Sequence, residues 1–187
     1  MGTLIEKEIR TGLSEQDYHK LYQVFECQNR KKIMQENYYF DTKDFDLRHH
    51  QLGLRIRLDD IQAEYTLKEP LSDKQKLETT DILSLDDAKE HLTHGTFPKK
   101  HVSQKLDQYH IYDTDLCQIG SLKNERYEIN TLQGLWVLDK SHFPNGISYE
   151  LEFEYIHSTK PFFDFLETHA IPFQDIPTKL ARAVSKL

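Results

Sequence analysis

Residues 148–155 read Ser-Tyr-Glu-Leu-Glu-Phe-Glu-Tyr, and the fold turns on how this stretch is understood. Its period of two is strand spacing, with Glu150, Glu152 and Glu154 on one face and Leu151, Phe153 and Tyr155 on the other. An ordinary half-buried strand turns its polar side to water. Three carboxylates at alternate positions repel one another there, and a cation among them relieves the repulsion. The same sorting recurs along the chain. Glu6, Glu8 and Arg10 share a face, Arg55 and Arg57 lie opposite Leu54, Ile56 and Leu58, and Glu64 and Lys68 flank Thr66 opposite Tyr65 and Leu67.

Two arrangements satisfy this alternation. One is an open antiparallel sheet with a solvated charged face. The other is a closed barrel whose apolar side chains point outward under helices, leaving a charged interior. Adjacent arginines suit phosphate oxygens, which guanidinium groups bind as a fork. Carboxylates suit hard divalent cations. Together they are the components of metal-assisted phosphoryl transfer.

Around these strands the chain is organised as an early and a late strand block with a helical insertion between. Strands are expected over 3–10, 37–42, 54–58, 63–68 (ending before Pro70), 76–81, 121–130, 135–140 and 148–155, with a tight turn at Asn145 and Gly146. Helices are expected from the N-cap Ser14 to Phe25, from the N-cap Ser84 to a C-cap at Gly95, and over 103–109, 160–168 and 178–187. Trp136, Phe162, Phe163 and Phe165 read as core packing.

The chain of 187 residues carries 31 Asp and Glu against 24 Lys and Arg, a net charge of -7. That balance speaks against nucleic acid or an anionic membrane as a partner for the whole surface. Ten Phe and ten Tyr supply a core despite a hydrophobic fraction of only 37%. No apolar run approaches the roughly twenty residues of a membrane span, and no signal-peptide core is present, so a soluble cytoplasmic protein is expected. Cys27 and Cys117 form no CxxC pair, the ten histidines show no metal-ligand spacing, and no Walker-type or GxGxxG loop occurs. Asp41, at a strand end, reads as a turn hydrogen-bonding residue.

Glu6-x-Glu8-x-Arg10 resembles the ExExK signature of the CYTH domain family, also called triphosphate tunnel metalloenzymes. Later segments follow in the family's order: Tyr39-Phe40-Asp41-Thr42, Leu54-Arg55-Ile56-Arg57, Thr66-Leu67-Lys68, Arg126, Asp139, Glu150-x-Glu152-x-Glu154, then Lys179 and Arg182. The resemblance covers nearly the whole chain and is greatest to the small Bacillus-type branch, whose members often carry adenylate cyclase names. It implies one CYTH domain over 1–187 with an α+β fold, an eight-stranded antiparallel β-barrel forming an open tunnel with helices packed outside. It further implies Mg2+ or Mn2+ held by Glu6, Glu8, Asp139, Glu150, Glu152 and Glu154. Phosphates fall to Arg10, Arg55, Arg57, Lys68, Arg126, Lys179 and Arg182, and the implied catalytic set is Glu6, Glu8, Glu152 and Lys68. The signature's lysine is Arg10 here, a planar fork in place of a compact ammonium.

The implied activity is a metal-dependent triphosphatase acting on inorganic tripolyphosphate or a small organic triphosphate. The alternatives on the same tunnel are an adenylate cyclase making cyclic AMP and pyrophosphate, and a non-catalytic sensor of triphosphate or polyphosphate. The expected partner is a triphosphate-bearing small molecule or inorganic polyphosphate, bound by a monomer or homodimer, with no nucleic acid and no membrane.

Overall fold

The alternating strands pair edge to edge until no edge is left. In the computed structural model, which describes residues 2–72 and 75–184, the elements run β1 (Gly2–Leu13), α1 (Glu15–Val24), β2 (Ile33–Thr42), α2 (Asp46–His49), β3 (Gly53–Leu58), β4 (Ala63–Ser72) and β5 (Gln75–Leu83). They continue with α3 (Leu85–His94), α4 (His101–Asp107), β6 (Leu116–Thr131), β7 (Gly134–Phe143), β8 (Gly146–Tyr155), α5 (Lys160–Thr168) and α6 (Lys179–Ala183). The strands close into an antiparallel barrel in the order β1-β5-β4-β3-β2-β6-β7-β8. Closure removes the exposed edges that an open sheet would have to protect.

The barrel is apolar outside and polar inside. Leu151 and Phe153, between the β8 glutamates, are fully buried with Trp136, Leu138, Phe162 and Leu166 under α1 and α5. Trp136 stacks on Phe153 with ring centroids 4.3 Å apart. On the β3–β5 side Leu54, Ile56, Tyr65 and Leu67 pack with Ala88, Val102 and Leu106 of α3 and α4. Phe163, expected in the core, is instead half exposed and faces Phe173 at 5.6 Å.

Local signals place the helices. The Ser14 hydroxyl accepts the Asp17 N–H at 3.0 Å, and the Ser84 hydroxyl accepts that of Asp87 at 3.1 Å. Gly95 closes α3 in the left-handed region at φ 63°. The Asp41 carboxylate accepts the backbone N–H groups of Thr42, Leu47 and Arg48, pinning the short helix α2, which the sequence reading did not contain. His49 and His50 stand at its end.

Several expected boundaries move. Strand β4 does not stop before Pro70 but pairs through it, Pro70 lying opposite Lys76. The β3 ladder ends where Gly53 meets Lys68, so beyond that point β4 has a free side that tolerates proline. The β7–β8 turn consists of Pro144 and Asn145, while Gly146, at φ 144°, already pairs with Phe143. The C-terminal helix is shorter than expected over its described part, and 185–187 lie outside the described residues.

One end of the barrel is covered by the segment leading into α6. The backbone N–H of Gly12, near the end of β1, donates to the Gln174 carbonyl at 3.0 Å. A Cβ on Gly12 would meet Ile176 at 2.8 Å, and one on Gly53, which opens β3, would meet Leu180 at 3.4 Å. A Cβ on Gly120, near the start of β6, would meet the Ala183 carbonyl oxygen at 2.9 Å. Three strand ends on the same rim thus give up side chains so that residues 174–184 can close on them. The obstacle at Gly120 is backbone. Gly120→Ala is therefore expected to cost about 1–3 kcal/mol by overpacking, lowering the melting temperature by roughly 3–10 °C in a calorimetric scan.

Candidate functional site

The barrel interior encloses a cavity of about 820 Å³. Its walls carry Glu6, Glu8 and Arg10 from β1, Arg55 and Arg57 from β3, Lys68 from β4, Arg126 from β6, Glu152 and Glu154 from β8, and Lys179 from α6. Asp139 and Glu150 are fully buried immediately behind this wall. Cross-strand register brings the groups together: Arg10 faces Glu152, Glu8 faces Glu154, and Arg126, Asp139 and Glu150 form one row across β6, β7 and β8. That row ends at Gly12, which has no side chain to block Ile176.

Asp139, Glu150 and Glu152 offer oxygens that all lie within 4.8 Å of one another. Arg126 holds Asp139 with two bonds, Nε to Oδ1 at 2.9 Å and Nη2 to Oδ2 at 2.7 Å, and reaches Glu152 at 3.0 Å. The Lys179 ammonium sits among all three, 2.7 Å from Asp139 and 2.7 Å from Glu152 and bonded to Glu150. Arg182 donates to Glu150 and, at 2.7 Å, to the Ser148 hydroxyl. Asn124 donates to Asp139 at 2.9 Å and accepts from Ser141 at 2.9 Å. Burial alone would raise the carboxyls of Asp139 and Glu152, but Arg126 and Lys179 outweigh it and hold both below the usual range, Glu152 well below. For Glu150 burial wins, with Lys179 opposing it and Glu152 adding to it, and its carboxyl is raised.

The second acidic group runs along β1 and β8. Lys68 binds both Glu6 oxygens, at 2.9 and 2.8 Å, and also pairs with Glu78. Arg10 donates to Glu8 at 2.7 Å. Burial raises the Glu6 carboxyl against the pull of Lys68, aided by Glu8 and Glu78. Burial also opposes ionisation of Glu78, yet Lys68 and Arg55 bring its carboxyl down to about 2. Glu154 has no ion-pair partner among the described residues.

The wall formed by β3 is different. Among the described residues neither Arg55 nor Arg57 has a carboxylate within ion-pair distance. Arg57 donates from Nε to the buried Asn37 carbonyl oxygen at 3.0 Å, and the Arg55 Nε is buried without a partner. Burial, then the like charges of Arg55 and Arg126, draw the Arg57 guanidinium down to about 10, so it remains charged near neutrality. This is a part-buried positive surface, acted on by Glu78 and Glu64 but, among the described residues, with no carboxylate at ion-pair distance.

Every residue of the expected set thus lies in or directly behind one cavity. Glu78 was missed, although Lys76-x-Glu78-x-Thr80 alternates like the other strands, because only its charge partner Lys68 was singled out. Asn37, Asn124 and Ser141 were missed too, since single amides and hydroxyls carry no pattern in the sequence. Elsewhere, Cys27 and Cys117 are free thiols, and no helix among the described residues is long and apolar enough to cross a membrane.

Comparison with known proteins agrees with this geometry. A family model of the CYTH domain matches residues 4–183. The chain is similar to the Bacillus subtilis protein named "Putative triphosphatase YjbK", 33% identical over 186 residues that cover 97% of this chain and 95% of that one. It is similar to the crystal structure of a protein from Bacillus halodurans described as a "putative adenylate cyclase", with a TM-score of 0.90, 34% identity and 97% and 98% of the two chains covered. A Hippeastrum protein, HpAC1, described as a "putative adenylyl cyclase" with "a dominant triphophatase activity", shares the fold at a TM-score of 0.83, 23% identity and 97% and 96% coverage.

Glu154 gives the site a measurable pH signature. Burial comes first, then the charges of Glu6, Glu152 and Glu8, which outweigh Arg126 and push its carboxyl up to about 7 from the ordinary 4.5. The native state therefore keeps a proton that the unfolded chain releases, and stability falls as pH rises through this window. In metal-free buffer Glu154→Gln is expected to gain on the order of 1 kcal/mol at about pH 8, discounted for partial solvent screening, and almost nothing near pH 4.5. Urea unfolding of both proteins at the two pH values checks this.

Proposed function

This chain belongs to the CYTH domain family, and on that premise we propose that residues 1–187 form one CYTH domain acting as a divalent-metal-dependent triphosphatase. Its substrate is inorganic tripolyphosphate or the triphosphate end of a small organic molecule. The observation that carries this reading is the pair Arg55 and Arg57, part-buried guanidiniums with no carboxylate at ion-pair distance among the described residues, facing a carboxylate-lined wall across one cavity. A bare anion site needs only the basic half. The acidic half supports hydrolysis with a metal, and the name of the B. subtilis relative supports a triphosphatase.

The donor set fits Mg2+ or Mn2+: every candidate ligand is a carboxylate oxygen, and the three in the buried group approach within 4.8 Å. Glu6, Glu8, Asp139, Glu150, Glu152 and Glu154 are the residues that would hold it. When bound, such an ion polarises phosphate oxygens and lowers the pKa of a coordinated water. The chain's own cations supply the rest. Arg55 and Arg57 grip the non-reacting phosphates in forked bonds, with Arg10, Arg126, Lys179 and Arg182 as further phosphate ligands. Lys68, held between Glu6 and Glu78, delivers a fixed ammonium toward charge developing on the transferred group. Because Arg10, Lys68, Arg126, Lys179 and Arg182 are already oriented by carboxylate partners, little reorganisation of these donors is needed when substrate enters.

With Mg2+ or Mn2+ and tripolyphosphate, thiamine triphosphate and ATP offered in turn, phosphate release is expected, and Glu8→Gln or Glu152→Gln abolishes it. Pyrophosphate appearing with cyclic AMP would move the assignment to a cyclase, and tight binding without turnover to a sensor. Arg55→Gln and Arg57→Gln are each expected to lower kcat/KM about 10- to 100-fold, mainly through KM. Arg57→Gln should leave the ligand-free protein at least as stable, because it removes a part-buried charge with no ion-pair partner among the described residues. Tripolyphosphate should raise the melting temperature of the native protein more than that of either variant.

A further inference from the structure

Three carboxylates meet three cations in the buried group: Asp139, Glu150 and Glu152 against Arg126, Arg182 and Lys179. The cations are not equivalent. Arg126 sits on β6 of the barrel, whereas Lys179 and Arg182 arrive on α6, a five-residue helix beyond the last strand. Lys179 alone touches all three carboxylates and stands where their oxygens converge. Without it each carboxylate keeps a guanidinium, Asp139 and Glu152 through Arg126 and Glu150 through Arg182. Lys179 can thus leave the point where the three carboxylates converge without stranding any of them.

We propose that Lys179 is an exchangeable internal counter-ion: its ammonium fills the carboxylate cage in the free protein, is displaced by a divalent cation there, and then becomes available to the phosphates of the substrate. The idea rests on reading these carboxylates as metal ligands. Charge balance gives it direction. With Lys179 in place the group is neutral; a divalent ion in its stead leaves one surplus positive charge and sets an ammonium free. Both call for an anion in the cavity, so metal and triphosphate strengthen each other's binding, as linkage requires of coupled sites. The backbone permits the exchange, because α6 rests on Gly53 and Gly120 and has no buried side chain of its own.

Mn2+ binding to the full chain, followed by the loss of its free-ion electron paramagnetic resonance signal without any phosphate present, tests the exchange. Lys179→Met is expected to bind Mn2+ about tenfold more tightly than the native protein, while Lys179→Arg behaves as native or binds more weakly. The gain should vanish in the double variant Lys179→Met, Glu150→Gln. Unchanged or weaker binding by Lys179→Met, or a gain that survives Glu150→Gln, would overturn the proposal. The native protein provides an independent measure: saturating Mn2+ should speed amide exchange over residues 179–183, and slower or unchanged exchange there would equally overturn it. None of these readouts depends on turnover. A protein that hydrolyses no triphosphate yet shows the metal gain would lose the triphosphatase reading and keep this one.

Discussion

A carboxylate taken wholly out of water survives as an anion only beside cations that replace its hydration, and Asp139 is the residue on which this demand falls hardest. It is met by both arms of Arg126, the Asn124 amide and Lys179. Breaking such a pair by removing one partner costs about 3–5 kcal/mol, far more than making it contributes. The consequence is a local rule: Asp139, Glu150 and Glu152 on the β7–β8 wall each drag a cation in with them. On the β3 wall the rule is suspended, since Arg55 and Arg57 bring no carboxylate. The interior is therefore divided into a wall that is neutral or negative and a wall that is positive. A ligand that is itself divided, a polyanion carrying divalent cations, completes both.

The same constraint explains why the apolar residues are outside. Alternation allows one face per strand, and with charge inside, Leu54, Ile56, Tyr65, Leu67, Leu151 and Phe153 must find cover elsewhere. Helices α1 and α5 cover one flank and α3 and α4 the other, giving two separate apolar clusters rather than one central core. Neither cluster lies between the charged side chains, so the cavity needs no space-filling residue at its centre. Burial of the outward face, at about 25 cal/mol per Å², is what holds the barrel closed around an interior that on its own would favour water.

Much of this is legible in the chain because period-two sorting is local information. Glu150, Glu152 and Glu154, or Arg55 and Arg57, can be placed on one face from their own neighbourhood. Ser14, Ser84 and Gly95 mark helix ends by equally local hydrogen-bonding and dihedral preferences. What escaped is non-local. That Arg10 faces Glu152 depends on β1 pairing with β8 from the far end of the chain. That Pro70 lies in a strand depends on where the β3 ladder stops. Lys179 was placed among the phosphate-binding residues by the order of motifs, but its position among three carboxylates arises only once Gly53 and Gly120 let α6 close on the barrel rim. Helix α2 escaped because Asp41 caps its N–H groups from the preceding strand, an arrangement with no periodic signature.

Arg10 shows how a departure from a motif can be judged from its surroundings. An ammonium at this position would be a compact point charge, free to serve whichever oxygen lies nearest. The guanidinium instead spends Nη1 on Glu8 at 2.7 Å, while its Nε is buried with no partner. Burial works against its charge, but Glu8, Glu152 and Glu150 outweigh that, and it stays ionised. One side chain thus holds a carboxylate of the acidic wall and keeps directed donors for an anion in the cavity. The positive charge of the motif is retained, and what changes is direction: a planar fork tied to Glu8 fixes the angle from which an anion in the cavity could be met. The substitution therefore acts through geometry rather than through net charge.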